Sequence, residues 1–327
     1  MLPANTPPSA AHDDSAPDPA GPGQTPAHTA APGPNAAPVL RPSPAVSPGP
    51  ALYLIPCYLD PQAMAPLPAY LLDAVKTCQV FFVENERSAR RYLKALWKEM
   101  VIDDYEWYPI HKAEEEVRSV FLKKLKEGKT IGLISEAGCP GIADPGQILT
   151  EAAHQAGAPV RPLVGPSSIL LALMASGLNG QQFRFAGYLP VDNAGRAKAI
   201  KDLETESQRS NCTQIFIETP YRNNQLLETL LATCRPTTRL CIAAGLTAPS
   251  EYIRTQTIAQ WRQLRPAPPA TAAGDPSGKS DPATPANAPA DPNADTAPTT
   301  HRPAAPIAAP GHLPNLHKQP AIFCFLA

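Results

Sequence analysis

From residue 51 onward the apolar and polar positions follow two alternating rhythms. Short, nearly unbroken apolar runs, "ALYLIPCYL", "QVFFVENE", "TIGLIS" and "APVRPLV", have the length of strands buried on both faces. "YEWYPI" is a shorter strand-like run. Between them lie segments with helical spacing: "LPAYLLDAVKTC", "RSARRYLKALWKEM", "AEEEVRSVFLKKLKEGK", "ILTEAAHQAG" and "SSILLALMASG". The third of these has acids in its first turn, lysines in its last and glycine where it stops, the order a helix dipole favours. After about residue 180 the rhythm returns, with strands predicted at "RFAGYLP", "TQIFIET", "RLCIAAGL", "EYIRTQT" and "QPAIFCFLA". Helices are predicted at "NAGRAKAIKDLETESQ", "YRNNQLLETLLATC" and "IAQWRQL". Repeated strand–helix alternation indicates a doubly wound sheet. The expected fold class is α/β, as two α/β domains: residues 51–165 with a mainly parallel sheet, and 166–327 with a mixed one.

Composition changes where this pattern applies. Of the 42 prolines in 327 residues, 14 fall in 1–50 and 14 in 266–320. Both stretches are otherwise mostly small or polar and bury too little apolar surface to offset the entropy of ordering them. They are expected to be disordered, as a tail over 1–50 and a segment over about 265–312. A final apolar strand after the second needs a sheet to enter, so that segment reads as an insertion within the second domain. A loop of this length is unusual, but closure entropy grows only slowly with length. Seven cysteines without a CxxC pair read as reduced, buried thiols. No secretion signal and no membrane-length apolar run is found, so a cytoplasmic protein is expected. A net charge of −1 argues against a general polyanion binder while leaving room for a local basic patch.

The candidate chemistry starts at "GLISEAGCPGIADPG", residues 132–146, with four glycines and two prolines directly at a strand's end. In open α/β sheets, ligands bind beyond the carboxyl ends of the strands. Gly138, Gly141 and Gly146 let the backbone approach a ligand, Pro140 and Pro145 stiffen its path, and Glu136 and Asp144 supply acceptors. GxxxxGK[ST] and GxGxxG are both absent, which argues against a phosphate or dinucleotide loop. A rigid loop that ends a strand and binds nothing is the plainer reading.

"LISEAGCPGIADPG" resembles the strand-loop signature of the tetrapyrrole methylase superfamily, the class III S-adenosylmethionine-dependent methyltransferases. Within it the sequence is similar to the branch that methylates a cytidine 2′-hydroxyl of small-subunit ribosomal RNA, and to a short subgroup of it. "VENERSARRYL", "VGPSSILLALMASGL", "RFAGYLP", "IFIETPYR" and "HKQPAIFCF" resemble that branch's EDTRxTRKLL, PGPSAxxAALxxSGL, FxFxGFLP, IFYESPHR and closing strand, in the same order. Two segments depart from it: "IPCYLDP" stands where TPIGNL is usual, and "AAGLTAP" where ARELTK is usual. The resemblance implies S-adenosyl-L-methionine in a cleft between two α/β domains. Its contacts would be Pro56, Glu136, Gly138, Cys139, Ile142 and Ala143, the turn Gly165, Pro166, Ser167 and Ser168, and Ala243, Ala244, Pro320 and Ala321. For the "GPSS" turn alone, a serine N-cap is the plainer reading. The resemblance further implies a homodimer and ribosomal RNA or the small ribosomal subunit as partner.

Three charged residues, Glu84, Arg87 and Asp144, are the catalytic candidates. Methyl transfer to a hydroxyl needs in-line approach and loss of a proton, which a carboxylate assists. "RSARRYLKALWK" sets Arg87, Arg90, Arg91, Lys94 and Lys98 among Tyr92 and Trp97: either a helix that meets RNA phosphates or a solvated face over a Leu93, Leu96 and Trp97 stripe. The seven histidines show no metal-ligand spacing, so no metal is expected. Three functional readings stay open: a ribosomal RNA methyltransferase, a methyltransferase of a small molecule or another RNA, and a non-catalytic cofactor-binding protein.

Overall fold

The first strand, β1 (Leu52–Ile55), is wholly apolar apart from the Tyr53 hydroxyl, and it becomes an inner strand flanked on both sides. A computed structural model describes residues 49–110, 114–266 and 307–327. All the elements fall in one compact unit, Ala45–Ala327. The first sheet adds β2 (Val80–Val83), β3 (Glu106–Pro109), β4 (Ile131–Ile134) and β5 (Val160–Pro162), in the order β3-β2-β4-β1-β5. All four of its pairings are parallel. A parallel sheet is covered on both faces, which is why β1, β2 and β4 lack the alternation of a half-exposed strand.

The helices divide between those two faces. On one side α1 (Leu71–Thr77) and α2 (Glu86–Leu96) contribute Ala74, Val75, Ala89, Tyr92 and Leu93 to a core with Ile55, Phe81 and Val83. On the other, α3 (Glu114–Lys126) and α4 (Gln147–Gln155) bring Phe121, Leu125, Leu149 and Ala152 against Leu52, Phe82 and Leu133. Aromatic pairs follow the β2–β3 register: Phe81 stacks on Trp107 and Phe82 on Tyr108, each with centroids 5.0 Å apart. The sequence pattern runs the second helix on to Met100, whereas α2 stops at Leu96. Trp97 is extended there, with its N–H still bonded to Leu93 O, and the Lys94 ammonium reaches the Lys98 and Met100 carbonyls.

The helix α5 (Ser168–Ser176) leads into the second sheet. That sheet holds β6 (Phe183–Tyr188), β7 (Thr213–Ile217), β8 (Arg239–Ala244), β9 (Tyr252–Thr257) and β10 (Ala321–Leu326), in the order β6-β7-β10-β8-β9. β6 and β7 are parallel and the other pairings antiparallel, so the sheet is mixed. The closing strand enters at the sheet's centre, between β7 and β8, and every one of its residues is buried. One face packs on α5 through Ile169, Ala172, Leu173, Ile215, Cys241 and Ala243. The opposite core collects residues of α6 (Asn193–Ser210), α7 (Asn223–Thr233) and α8 (Ile258–Arg262).

Trp261 anchors that second core. It is fully buried, and its indole N–H donates to Leu240 O at 2.9 Å. Trp261→Ala is expected to lower unfolding free energy by about 3–5 kcal/mol, read as a shifted denaturant midpoint. An unchanged midpoint would show that the site collapses without loss.

The proline-rich stretches expected to be disordered fall largely outside the described residues, at 1–48 and 267–306. The ends of the second are described. Arg265 N donates to Gly311 O and Leu313 N to Arg265 O, at 3.0 and 2.8 Å. Ile307 is buried in the second core and accepts from Asn315 N.

Candidate cofactor cleft

Because the first sheet is parallel, the carboxyl ends of β1, β2, β4 and β5 meet at one edge, and the loops that leave them are tied together there. Cys57 N donates to Gly138 O at 2.7 Å, and Glu84 N to Ile134 O at 3.0 Å. Glu136 N donates to Glu84 Oε2 at 2.9 Å, and the Ser88 hydroxyl to Glu136 Oε1 at 3.1 Å. The Tyr92 hydroxyl donates to Pro56 O at 2.7 Å, and Cys139 Sγ lies 3.5 Å from Pro166 O. Within the loop, Gly138 and Gly146 take φ values of 71° and 132°. At Gly146 a side chain would also strike Leu133 Cδ2, at 2.7 Å from its first carbon. Ala143 adopts φ 63° without being glycine, a strained geometry that the fastened loop maintains.

This loop forms one wall of a hollow whose other wall is the second sheet. A cavity of about 170 Å³ lies between Ala137–Asp144 and the start of α5, and it reaches Leu59, Tyr188 and Ile217. A second cavity of about 300 Å³ continues it along Ala243, Gly245, Leu246, Pro320, Ala321 and Ile322. Leu59, Ala137, Ser168, Tyr188 and Ile217 line both. Small side chains, backbone and aliphatic surface make up most of the lining, and among the described residues neither cavity is lined by Lys, Arg or His.

Among the residues proposed from sequence, Gly138, Cys139, Ile142, Ala143, Asp144, Ser167 and Ser168 line the smaller cavity. Ser168, Ala243, Pro320 and Ala321 line the larger. The rest stand elsewhere. Pro56 is buried against Gly165, where a Cβ would overlap the proline ring, so this pair locks the ends of β1 and β5 together. Pro166 is buried, with its carbonyl turned to Cys139. Glu136 is exposed and held by Ser88; Glu84 receives the Glu136 amide behind the loop. Arg87 is exposed in the first turn of α2 and lines neither cavity. Strand alternation turns Ala244 to the opposite core, beside Trp261. Ser167 occupies the N-cap position of α5, yet its hydroxyl makes no capping bond. The plain capping reading of "GPSS" therefore does not hold.

Sequence reasoning missed Leu59, Ala137, Tyr188, Ile217 and the turn at Gly245–Ser250. The strand-end rule that singled out Glu84 applies equally to Tyr188 and Ile217, the last residues of β6 and β7. On α2, Tyr92 is not interleaved among surface cations; it is fully buried with its hydroxyl on Pro56.

Electrostatics single out Asp144. Burial and the neighbouring Glu84 push its carboxyl up to about 6, against an opposing hydrogen bond from Ser135. Cys139 is pushed up by burial and by Asp144, so at neutral pH it is a thiol and not a nucleophilic thiolate. No group of His, Cys, Asp and Glu is placed to hold a metal ion among the described residues, and no described helix is long and apolar enough to cross a membrane.

A Gly/Pro loop at a parallel sheet's edge, facing a second, mixed sheet across a hollow, defines an α/β protein built on two sheets. Residues 61–261 match the family described as Tetrapyrrole (Corrin/Porphyrin) Methylases, and the chain belongs to it and is a methyltransferase. It is 31% identical over 214 residues to Ribosomal RNA small subunit methyltransferase I of Vibrio cholerae, covering 64% of this chain and 70% of that one. It is 37% identical over 140 residues to the protein of the same name from Escherichia coli O157:H7, covering 43% and 48%. The chain thus spans more than two thirds of one of these relatives and about half of the other. The crystal structure of the methyltransferase CobJ superposes with a TM-score of 0.45 at 20% identity, over 64% of this chain and 87% of that one.

Proposed function

We propose that the protein transfers the methyl group of S-adenosyl-L-methionine to a ribose 2′-hydroxyl of small-subunit ribosomal RNA, as a cytoplasmic homodimer. The domains are taken as 51–165 and 166–327, with the cofactor between them. The observation that carries this reading is the lining of the joined hollow. A sulfonium cation is compatible with a wall that holds Asp144 and no cationic side chain. The backbone approach needed at the loop is available at Gly138, whose φ of 71° disfavours any side chain. Gly138, Cys139, Ile142 and Ala143 would hold one end of the cofactor, with Ser167 and Ser168 opposite. Ala243, Pro320 and Ala321 would enclose the other. The cofactor supplies an electrophilic methyl group when bound. The protein's own part is to exclude water with Leu59, Ile142 and Ile217, to fix the line of approach, and to take the hydroxyl proton at Asp144. Positioning is worth more than the base in such a reaction. The names of the relatives support the ribosomal acceptor, and the exposed Leu170 and Met174, one turn apart on α5, supply apolar surface for a dimer.

Calorimetry with S-adenosylhomocysteine tests the cofactor, and binding at a single site per chain is expected. Labelled methyl transfer to deproteinised ribosomal RNA, to intact small subunits and to a metabolite pool tests the acceptor. A 2′-O-methyl group blocks alkaline cleavage of the adjoining phosphodiester, so label in an alkali-resistant dinucleotide is the expected result. Label in the metabolite pool alone would refute the RNA acceptor.

A further inference from the structure

We infer that the outer face of α2 is the surface along which the phosphodiester backbone of the RNA acceptor lies beside the cleft, with Arg87, Arg91 and Lys98 as its phosphate contacts. The inference rests on the RNA reading above. Only two residues, Glu84 and Asn85, separate the end of β2 from the start of α2, and Asn85 accepts from the Arg87 and Ser88 amides, so the first turn of α2 stands at the edge where the loops converge. Its inner face buries Ala89, Tyr92 and Leu93. Arg87, Arg91 and Lys94 follow on the outer face at intervals of four and three residues, all exposed, and Lys98 is exposed just beyond the helix.

These cations are not equivalent. The Lys94 ammonium is occupied by the Lys98 and Met100 carbonyls. Arg90 pairs with Glu86 and lies over the Trp107 ring. Arg87, Arg91 and Lys98 have no ion pair among the described residues. In a chain with 28 Lys and Arg against 29 Asp and Glu, such a group is a local departure from balance.

The cavities themselves make this countercharge necessary. Among the described residues their walls hold no Lys, Arg or His and include Asp144, so a polyanion presenting one hydroxyl there finds repulsion inside. Its affinity must come from cations outside the hollow, and phosphate contacts give that affinity without base specificity.

The test uses the full chain, a fluorescently labelled single-stranded fragment of small-subunit ribosomal RNA, and anisotropy across a salt series. In R91Q/K98Q the log–log salt slope should become shallower by about 1.4, from about 0.7 per lost phosphate contact on single strands. RNA affinity near 100 mM salt should fall about tenfold, with S-adenosylhomocysteine affinity and thermal midpoint unchanged. The control K198Q/K201Q removes two exposed cations from α6 and should leave the slope as in the wild type. An unchanged slope in R91Q/K98Q, or an equal loss in the control, overturns this surface while leaving the methyltransferase reading intact. A wild-type chain that binds S-adenosylhomocysteine but no RNA at any salt overturns both the RNA acceptor and this surface.

Discussion

Asp144→Asn should lower kcat about a hundredfold and remove the acid limb of the pH profile, if this carboxylate takes the acceptor's proton. General-base assistance typically contributes 10²–10⁴-fold. The geometry sets the position of the limb: with Asp144 pushed up to about 6 by burial and by Glu84, the wild-type rate should climb through about pH 6 and level off above pH 7. The same variant should be more stable than wild type, but only on the alkaline side. A carboxyl whose folded pKa exceeds its unfolded one favours folding fully below the unfolded value and loses that contribution as pH rises through the folded value. Thermal midpoints of Asp144→Asn and wild type should therefore converge near pH 4 and separate above pH 6, with the variant higher. A rate that keeps its acid limb in the variant, with normal S-adenosylhomocysteine binding, would show that the hydroxyl loses its proton to another group.

Gly165→Val should weaken S-adenosylhomocysteine binding at least a hundredfold, although Gly165 lines neither cavity. Any Cβ there overlaps the Cβ and Cγ of Pro56, and Pro56 is fixed from behind by the Tyr92 hydroxyl on its carbonyl. Relief requires the ends of β1 and β5 to part. The Cys57–Gly138 bond and the Cys139–Pro166 contact run through those same ends, so the loop that carries the glycines would shift with them. Overpacking of this kind costs about 1–3 kcal/mol of stability, which leaves the protein folded for the binding measurement. Gly165→Ala should show the same loss in smaller degree, and wild-type affinity in both would mean that the loop is held by other contacts.

The fold was legible because strands such as β2, β4 and β10 are buried along their whole length. Unbroken runs such as "QVFFV" and "TIGLI" have no other stable use in a chain of this length, and the helices between them carry their own punctuation. The central place of β10 was less visible: a six-residue apolar run reveals that it pairs, not with which strands. For the site, the glycine-punctuated loop gave itself away through backbone requirements that no ordinary turn has. Ala243 and Ala244 stand together in the motif, but the strand sends them to opposite faces, Ala243 toward α5 and Ala244 into the core of Trp261. Arg87, close in sequence to a strand end, is exposed in the first turn of α2 and lines neither cavity. Pro56 and Gly165 belong to the loops' fastening and not to their surface, a distinction that depends on contacts between segments more than 100 residues apart.

The order β7-β10-β8 has a consequence for assembly. Until residues 321–326 arrive, β7 and β8 have no bond to one another, and each presents a bare row of amides and carbonyls toward the same slot. The second lobe is thus completed by a keystone that the proline-rich stretch separates from the strands on either side of it. Any foreign extended peptide that reaches the slot first competes with the native strand for it.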